Sequence, residues 1–529
     1  MSQDNKQTET KTATDTDTDQ HHHRQTDSTE TKVTIDMTTS KDEESQTRIN
    51  TEREPPYTIL TNREKYFIAL LISCASIFST LSASIYFPAL PILAEYFNVS
   101  DGIVNISIVA YFIFQGISPT LLAYISDTYG RRPCIIGCLL CYSAVCIAIS
   151  RSNVYWLLAF LRCLQAASIS PIIAVGSGVV ADLTVKSNRG GLIAVTQGVI
   201  LVGQGFGALI GSGLVARWGW RGIFIALAIG GCFMMLLALI LLPETNRKIV
   251  GNLSIPPKYI YNQSPVIHFP CCSSRLTNDV STLMEGRPSN IFSPYKIFVQ
   301  PAVFFTLLSG GIQFTAWTLS LTSLSTSLES KYGFSVIHIG LCYLSPGIGS
   351  LIGAVGTGAL LDFIYKRKRS AYDRKYEGVP KEQRPAFDIF ATRFQTATYT
   401  TSLVTASLVV FGWCIQEKTN LAPILIAAFL ISLGGVSFMS CMTTLLVDLF
   451  PDQGSAATSC LNLMRCLLGA AGVGALQAME DAMGEGGTYT LMAGLVIVTF
   501  LLLGYMARRA QKKREKAQVE AQAKVETNA

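Results

Sequence analysis

Two positive charges stand inside otherwise apolar runs of this chain, Arg162 and Arg465. An ionisable side chain away from water is costly, so each usually faces a cavity or a partner. Gln165 follows Arg162 by about one helical turn. Gln115, Gln197, Gln204, Gln313 and Asn462 add neutral polar groups to similar runs, and Trp317 is the tryptophan that falls mid-run. A pocket lined by two guanidinium groups and no carboxylate suits an anion. Arginine pairs with carboxylates bidentately, so a di- or tricarboxylate fits best. The other reading is that each arginine only ties helices together through backbone carbonyls. Both stay open at this point. No Asp or Glu falls deep inside any apolar run, so a proton-binding group is hard to find. Asp127 and Asp182 at the rims, and His338 near another rim, are what the sequence offers.

A second set of charges sits just past the runs. Asp127-Thr-Tyr-Gly130-Arg131-Arg132 recurs in looser form as Asp362-Phe-Ile-Tyr-Lys366-Arg367. Val-Ala-Asp182-Leu likewise recurs as Leu-Val-Asp448-Leu. A carboxylate such as Asp127 could cap a helix from the other half of the chain. Arg131 or Arg132 could reach Asp182, and Lys366 or Arg367 could reach Asp448. These pairs read as latches between two bundles, broken during a transport cycle. The plainer alternative is that they are basic anchors beside membrane spans.

The elements that must hold these residues follow from composition. Of 529 residues, 49% are hydrophobic and only 15% charged, against roughly a quarter charged in soluble domains. Mean hydropathy is +0.36. Too little polar surface exists to solvate a globule, so lipid is the expected solvent. Runs of about 20 apolar residues suffice to cross hydrocarbon. They fall near 66–90, 103–124, 133–150, 154–182, 190–216, 222–243, 302–326, 336–363, 396–414, 421–447, 456–477 and 487–507. Gly203, Gly205, Gly207 and Gly211 stud the fifth, and small residues at such spacing let helices approach closely. That face is expected to meet a helix of the other half.

Lys and Arg crowd the connections after even-numbered runs, with a dense stretch from Lys366 to Arg393 and another from Arg508 to Lys524. The opposite connections hold Arg151, Arg217, Arg221, Lys331 and Lys418. The positive-inside rule then places both tails in the cytosol. The segment 1–62 is polar and reads as a disordered cytosolic tail. The other expected parts are a six-helix bundle over 63–247, a cytosolic loop over 248–298, a second bundle over 299–507 and a cytosolic tail over 508–529. Asn98-Val-Ser100 is a glycosylation acceptor pattern in an outer loop. Cys134, Cys138, Cys141 and Cys146 share one apolar run without histidine, so they read as small apolar fillers rather than zinc ligands. Cys271-Cys272 is an idle pair or a palmitoyl site. No nucleophile–base set or metal cluster appears, so neither an enzyme nor a cofactor is expected.

Gly205-Phe-Gly207-Ala-Leu in the fifth run recurs as Gly472-Val-Gly474-Ala-Leu in the eleventh. Such internal repeats mark two bundles that rock about a central site. The implied job is moving a small solute across a bilayer, with the proton open as coupling ion. No nucleic acid is implied, and a monomer is expected.

These residues resemble the major facilitator superfamily, and its fungal twelve-span drug:proton antiporters in particular. The resemblance spans roughly 66–507. Asp127 to Arg132 is similar to the signature between spans 2 and 3, and Arg162-Cys-Leu-Gln165 to the Arg-x-x-Gln motif of span 4. Leu242-Pro-Glu244-Thr-Asn246-Arg247 and Asn462-Leu-Met-Arg465-Cys466 resemble the fungal branch. Gly207-Ala208 stands where the antiporters carry a Gly-Pro step. The resemblance implies an all-α facilitator fold of twelve spans in two pseudo-symmetric six-helix bundles. It further implies alternating access and efflux at the plasma membrane, with the vacuolar membrane as the alternative. The branch includes quinidine- and multidrug-resistance exporters, polyamine exporters and citrate-type organic acid exporters. A small organic acid or secondary metabolite is the first expected cargo, and a broad set of drugs the second.

Overall fold

A computed structural model describes residues 57–184, 189–265, 283, 298, 300–377, 389–449 and 454–528, and those residues are almost wholly helical. Helix α1 (Asn62–Ser84) starts on a capping box. The Thr61 hydroxyl accepts from the Glu64 amide, and the Glu64 carboxylate accepts from the Thr61 amide at 2.7 Å. Each satisfies a donor that a helix start leaves orphaned. Helix α2 (Leu90–Phe97) ends at Asn98 in the left-handed conformation, a usual helix stop. Then follow α3 (Asp101–Tyr129), α4 (Arg131–Ser150), α5 (Tyr155–Ile169), α6 (Pro171–Leu183), α7 (Arg189–Leu241) and the short α8 (Arg247–Val250). The second half of the chain holds α9 (Pro301–Ser330), α10 (Val336–Cys342), α11 (Leu344–Lys375), α12 (Ile389–Gln416), α13 (Leu421–Leu449) and α14 (Gly454–Asn528).

Among the described residues, nine helical stretches are long and apolar enough to cross a membrane. Two of these contain a break, at Gly219 (φ 68°) and at Gly484 (φ 72°). Positive φ is cheap for glycine alone. Both breaks fall in the gaps that the sequence leaves between apolar runs. Cys271-Cys272 and most of the central loop lie outside the described residues.

Small residues set the packing. Added Cβ atoms on Gly203, Gly207 and Gly211 would strike Ile77, Ser84 and Ile85 of the α1 region within 3 Å. So the α7 stripe packs on its own half, against the expectation of a partner in the other half. The expected cross-half contact comes from the residues between. Gly205 meets Gly347, and Ser212 lies against Gly340. The reason is angular: residues two apart on a helix point to different neighbours. The repeat motif in α14 divides the same way in reverse order, with Gly472 on Thr315 of α9 and Gly474 beside Val109 of α3.

The halves also meet near Asn98. Phe87 stacks on Tyr343 at 6.2 Å, and the Ser325 hydroxyl donates to the Phe87 carbonyl at 2.9 Å. Asp127 and Asp182 lie at the opposite end of α3 and α6. The two ends are called here the Asn98 end and the Asp182 end.

Candidate functional site: a central crevice and its two ends

Among the described residues Arg162 is the largest fully buried side chain, at 1% exposure. Its guanidinium lies between the rings of Tyr86 and Tyr111, 4.2 and 4.3 Å from their centroids. It donates to Gln165 Oε1 at 2.7 Å and to the Ser82 carbonyl at 3.3 Å, while its Nε finds no partner. The two tyrosines are themselves fixed. Tyr111 donates to the Ser79 carbonyl at 3.0 Å, and Tyr86 shares a hydrogen bond with Ser107 at 2.8 Å. Gln165 reaches the Cys146 sulfur at 3.2 Å. Arg162 therefore ties α1, α3 and α5 together, and Gln165 adds α4. Sequence reasoning missed the tyrosine box, because nothing in residue spacing shows two rings from separate segments converging.

Arg465 is half-buried on α14. Its Nε and Nη2 donate to Asn462 Oδ1 at 3.1 and 2.8 Å, and its plane lies 5.1 Å from the Phe314 ring. Asn462 in turn donates across the halves to the Gln115 carbonyl at 3.1 Å. Trp317 donates to Ser432 at 2.8 Å. Gln313 is 1% exposed, and neither of its amide atoms finds a partner. The side chain of Gln197 lies outside the described residues.

A crevice opens where the halves touch. Ser84, Phe87 and Gln204 line it from the first half, and Trp317, Tyr343 and Ser350 from the second. It is narrow, about 10 Å³, and Gly205, Ala208, Leu321, Pro346 and Gly347 complete a lining that carries no formal charge. In this conformation neither Arg162 nor Arg465 lines the crevice. Arg162 is enclosed by its tyrosines, and Arg465 is engaged by Asn462.

At the Asp182 end, Arg131 at the start of α4 pairs with Asp127 at the end of α3, across the break at Gly130, and with Asp182 through Nε at 3.1 Å. Both partners belong to the first half, so the pair as seen does not join the halves. Asp127 is spent on Arg131 rather than on a distant helix. Arg132 does not reach Asp182. It donates to the carbonyls of Leu239, Leu242 and Tyr261 at 2.7, 2.9 and 2.7 Å. In the second half Lys366 and Arg367 are exposed, while the side chains of Asp362 and Asp448 lie outside the described residues.

Glu244 does the capping instead. It is 2% exposed, and its carboxylate accepts from the amides of Arg131 and Arg132 at 2.9 and 3.2 Å, at the start of α4. The amides of Thr245 and Asn246 also donate to it, each at 2.9 Å. Gly130 makes room for it, since a Cβ there would lie 2.4 Å from Glu244 Oε2. Sequence reasoning placed Glu244 only in a family motif. Replacing Glu244 with alanine strands these amides, a loss of about 1–3 kcal/mol for buried groups. The thermal midpoint of the solubilised protein should fall clearly. Glutamine keeps one acceptor oxygen and should fall between the two.

This architecture, helices broken at glycines around a crevice shared by two repeating halves, matches known proteins. Residues 72–372 match the model of the Major Facilitator Superfamily. The chain belongs to the Major Facilitator Superfamily. It is thus a secondary active membrane transporter, not an enzyme. The transporter is 47% identical over 476 residues to "MFS antiporter QDR2" of Candida albicans, covering 90% of this chain and 94% of that one. It is 32% identical over 496 residues to "Citrate exporter 1" of Aspergillus niger, covering 90% and 93%. Its fold is similar to that of the proton:xylose symporter XylE, with a TM-score of 0.59 at 13% identity, over 84% of this chain and 97% of the other.

Proposed function

We propose that this transporter exports amphipathic organic compounds from the cell by antiport against protons. The observation that carries this reading is the uncharged lining of the crevice between the halves, which at about 10 Å³ is closed to a solute in this conformation and would admit one as the halves part. Rings and amides suit bulky, partly apolar solutes, because a few polar groups set orientation while apolar walls supply binding. The kinship with a fungal antiporter supports exchange rather than uniport. In this reading the twelve apolar runs form two pseudo-symmetric six-helix bundles that rock about the crevice. The Lys and Arg bias puts the Asp182 end and both tails in the cytosol. The Phe87–Tyr343 and Ser325–Phe87 contacts then close the outer side. Arg131, Asp127 and Asp182 brace the inner side of the first bundle. Asn98, exposed at the outer end, becomes the glycan acceptor, and the plasma membrane is the site of action.

Organic acid export is the second reading. It is favoured by the likeness to a citrate exporter and by Arg465, which keeps part of its surface exposed. Gene deletion separates the two. Loaded with quinidine, a mutant lacking the gene should retain the drug several-fold more than its parent, with extracellular citrate unchanged. A fall in extracellular organic acid with normal quinidine efflux would reverse the ranking.

A further inference from the structure

We propose that Glu480 is the proton-binding carboxyl of this transporter. The proposal rests on the antiport reading above. Glu480 sits on α14 just before the break at Gly484, beyond the apolar run 456–477. It is half-buried, and its Oε1 accepts a hydrogen bond from Ser323 Oγ at 2.6 Å. Ser323 accepts in turn from the Tyr489 hydroxyl at 2.7 Å. Ser323 and Tyr489 are both at 0% exposure. A buried chain of two hydroxyl groups thus ends on one carboxyl group, and it links α9 to both legs of α14.

The charged neighbours leave that carboxyl without a dedicated cation. Lys331 follows the last residue of α9, but its Nζ is held by Glu485 at 2.7 Å. The first leg of α14 supplies Asp481, bound by Gln477 at 2.9 Å. Glu485 and Tyr489 come from the second leg. From the first half, Asp101 begins α3, and the next residue, Gly102, abuts Gln477. An acid whose partner is a hydroxyl can exchange a proton with water without breaking an ion pair. A carboxyl group fixed in a salt bridge, such as Asp182 with Arg131, cannot do so as freely.

Protonation here would be felt at the gate. Ionised Glu480 only accepts, so Ser323 must point its hydrogen at it. Protonated Glu480 can donate, and the hydroxyl chain can then reverse. Two residues before Ser323, the Leu321 carbonyl accepts from the Tyr343 hydroxyl. Two residues after it, Ser325 bonds Phe87 of the other half. The same stretch of α9 therefore carries the proton's nearest partner and the contact that closes the Asn98 end. The step itself is simple: the carboxylate takes one proton from water at the Asn98 end and gives it up again along the hydroxyl chain of Ser323 and Tyr489.

Purified full-length transporter in vesicles tests this, with quinidine as probe. Wild type should accumulate quinidine under an imposed pH gradient. Glu480→Gln should keep quinidine–quinidine exchange but lose gradient-driven accumulation at least tenfold, and Glu480→Asp should restore part of it. Gradient-driven accumulation that survives Glu480→Gln overturns the proposal. If wild type moves no quinidine, the antiport reading fails, and infrared difference spectra between acid and neutral pH still decide the site. A protonated-carboxyl band that disappears in Glu480→Gln supports it, and an unchanged band refutes it. Should Glu480→Gln fold poorly, Ser323→Ala must shift that band by removing its hydrogen bond, and an unshifted band is equally fatal.

Discussion

Replacing Gly347 with alanine should push the two halves apart and depopulate the conformation described here. A Cβ on Gly347 would lie 2.2 Å from the Gly205 carbonyl oxygen and 3.0 Å from its carbon. The obstacle is backbone on a long helix, so it cannot swing aside as a side chain would. Overpacking of this kind typically costs about 1–3 kcal/mol. Spread over two alternating states, that is roughly a 5- to 150-fold shift in their ratio. In the rocking cycle proposed above, the opposing state escapes this cost if the two glycines separate. Tyr96 and Ile337 are both exposed, one in each half towards the Asn98 end. Spin labels there, with the native reactive cysteines replaced, should report a longer distance in Gly347→Ala than in wild type. Efflux should fall by a comparable factor while the protein stays folded. Gly353→Ala is the contrasting case. Its Cβ would meet the Leu433 carbonyl at 2.5 Å, inside the second half. It should lower thermal stability without moving the labels. Equal label distances in wild type and Gly347→Ala would show that this contact does not hold the closed state.

Arg162→Leu should abolish efflux of quinidine and of citrate alike, and should lower stability without unfolding the protein. Two desolvated cation–π contacts contribute about 2 kcal/mol or more each. Two hydrogen bonds from the charged group add about 1.5–3 kcal/mol each. A desolvation penalty of several kcal/mol for a buried charge offsets much of this, and leucine leaves Gln165 Oε1 without its donor. Function is another matter. Tyr86, held under the guanidinium, is the residue next to Phe87, and Phe87 packs on Tyr343 and accepts from Ser325. Arg162 is therefore expected to position the contact proposed above to close the Asn98 end. Lysine should not rescue it, because a compact ammonium cannot fill the slot between two rings as a planar guanidinium does. Loss of citrate efflux alone, with quinidine efflux intact, would instead make Arg162 an anion ligand.

Much of this molecule was legible before any coordinates. Solvent is read from composition, and the apolar runs follow from it; the structure puts the breaks at Gly219 and Gly484 in the gaps between those runs. The pairing of Asp127 with Arg131 is not among these readings: sequence reasoning assigned Asp127 a distant helix to cap, and the break at Gly130 (φ 120°) turns it onto Arg131 instead. The repeat of Gly205 to Leu209 at Gly472 to Leu476 revealed two related halves. What spacing does not carry is direction. A glycine stripe announces close packing, yet whether Gly207 or Gly205 faces the other half depends on how α7 is rotated. Likewise Arg162 looks from sequence like a charge in a cavity, and only the convergence of Tyr86 and Tyr111 encloses it. Glu244 and Glu480 lie outside the apolar runs, where a carboxylate looks unremarkable. Their partners are far away in the chain, the amides of Arg131 and Arg132 for one and Ser323 for the other. Sequence thus determined which solvent each segment meets and where helices stop, because these depend on neighbours along the chain. Tertiary structure decided which face of each helix does the work, because that is fixed by contacts between segments that no local pattern records.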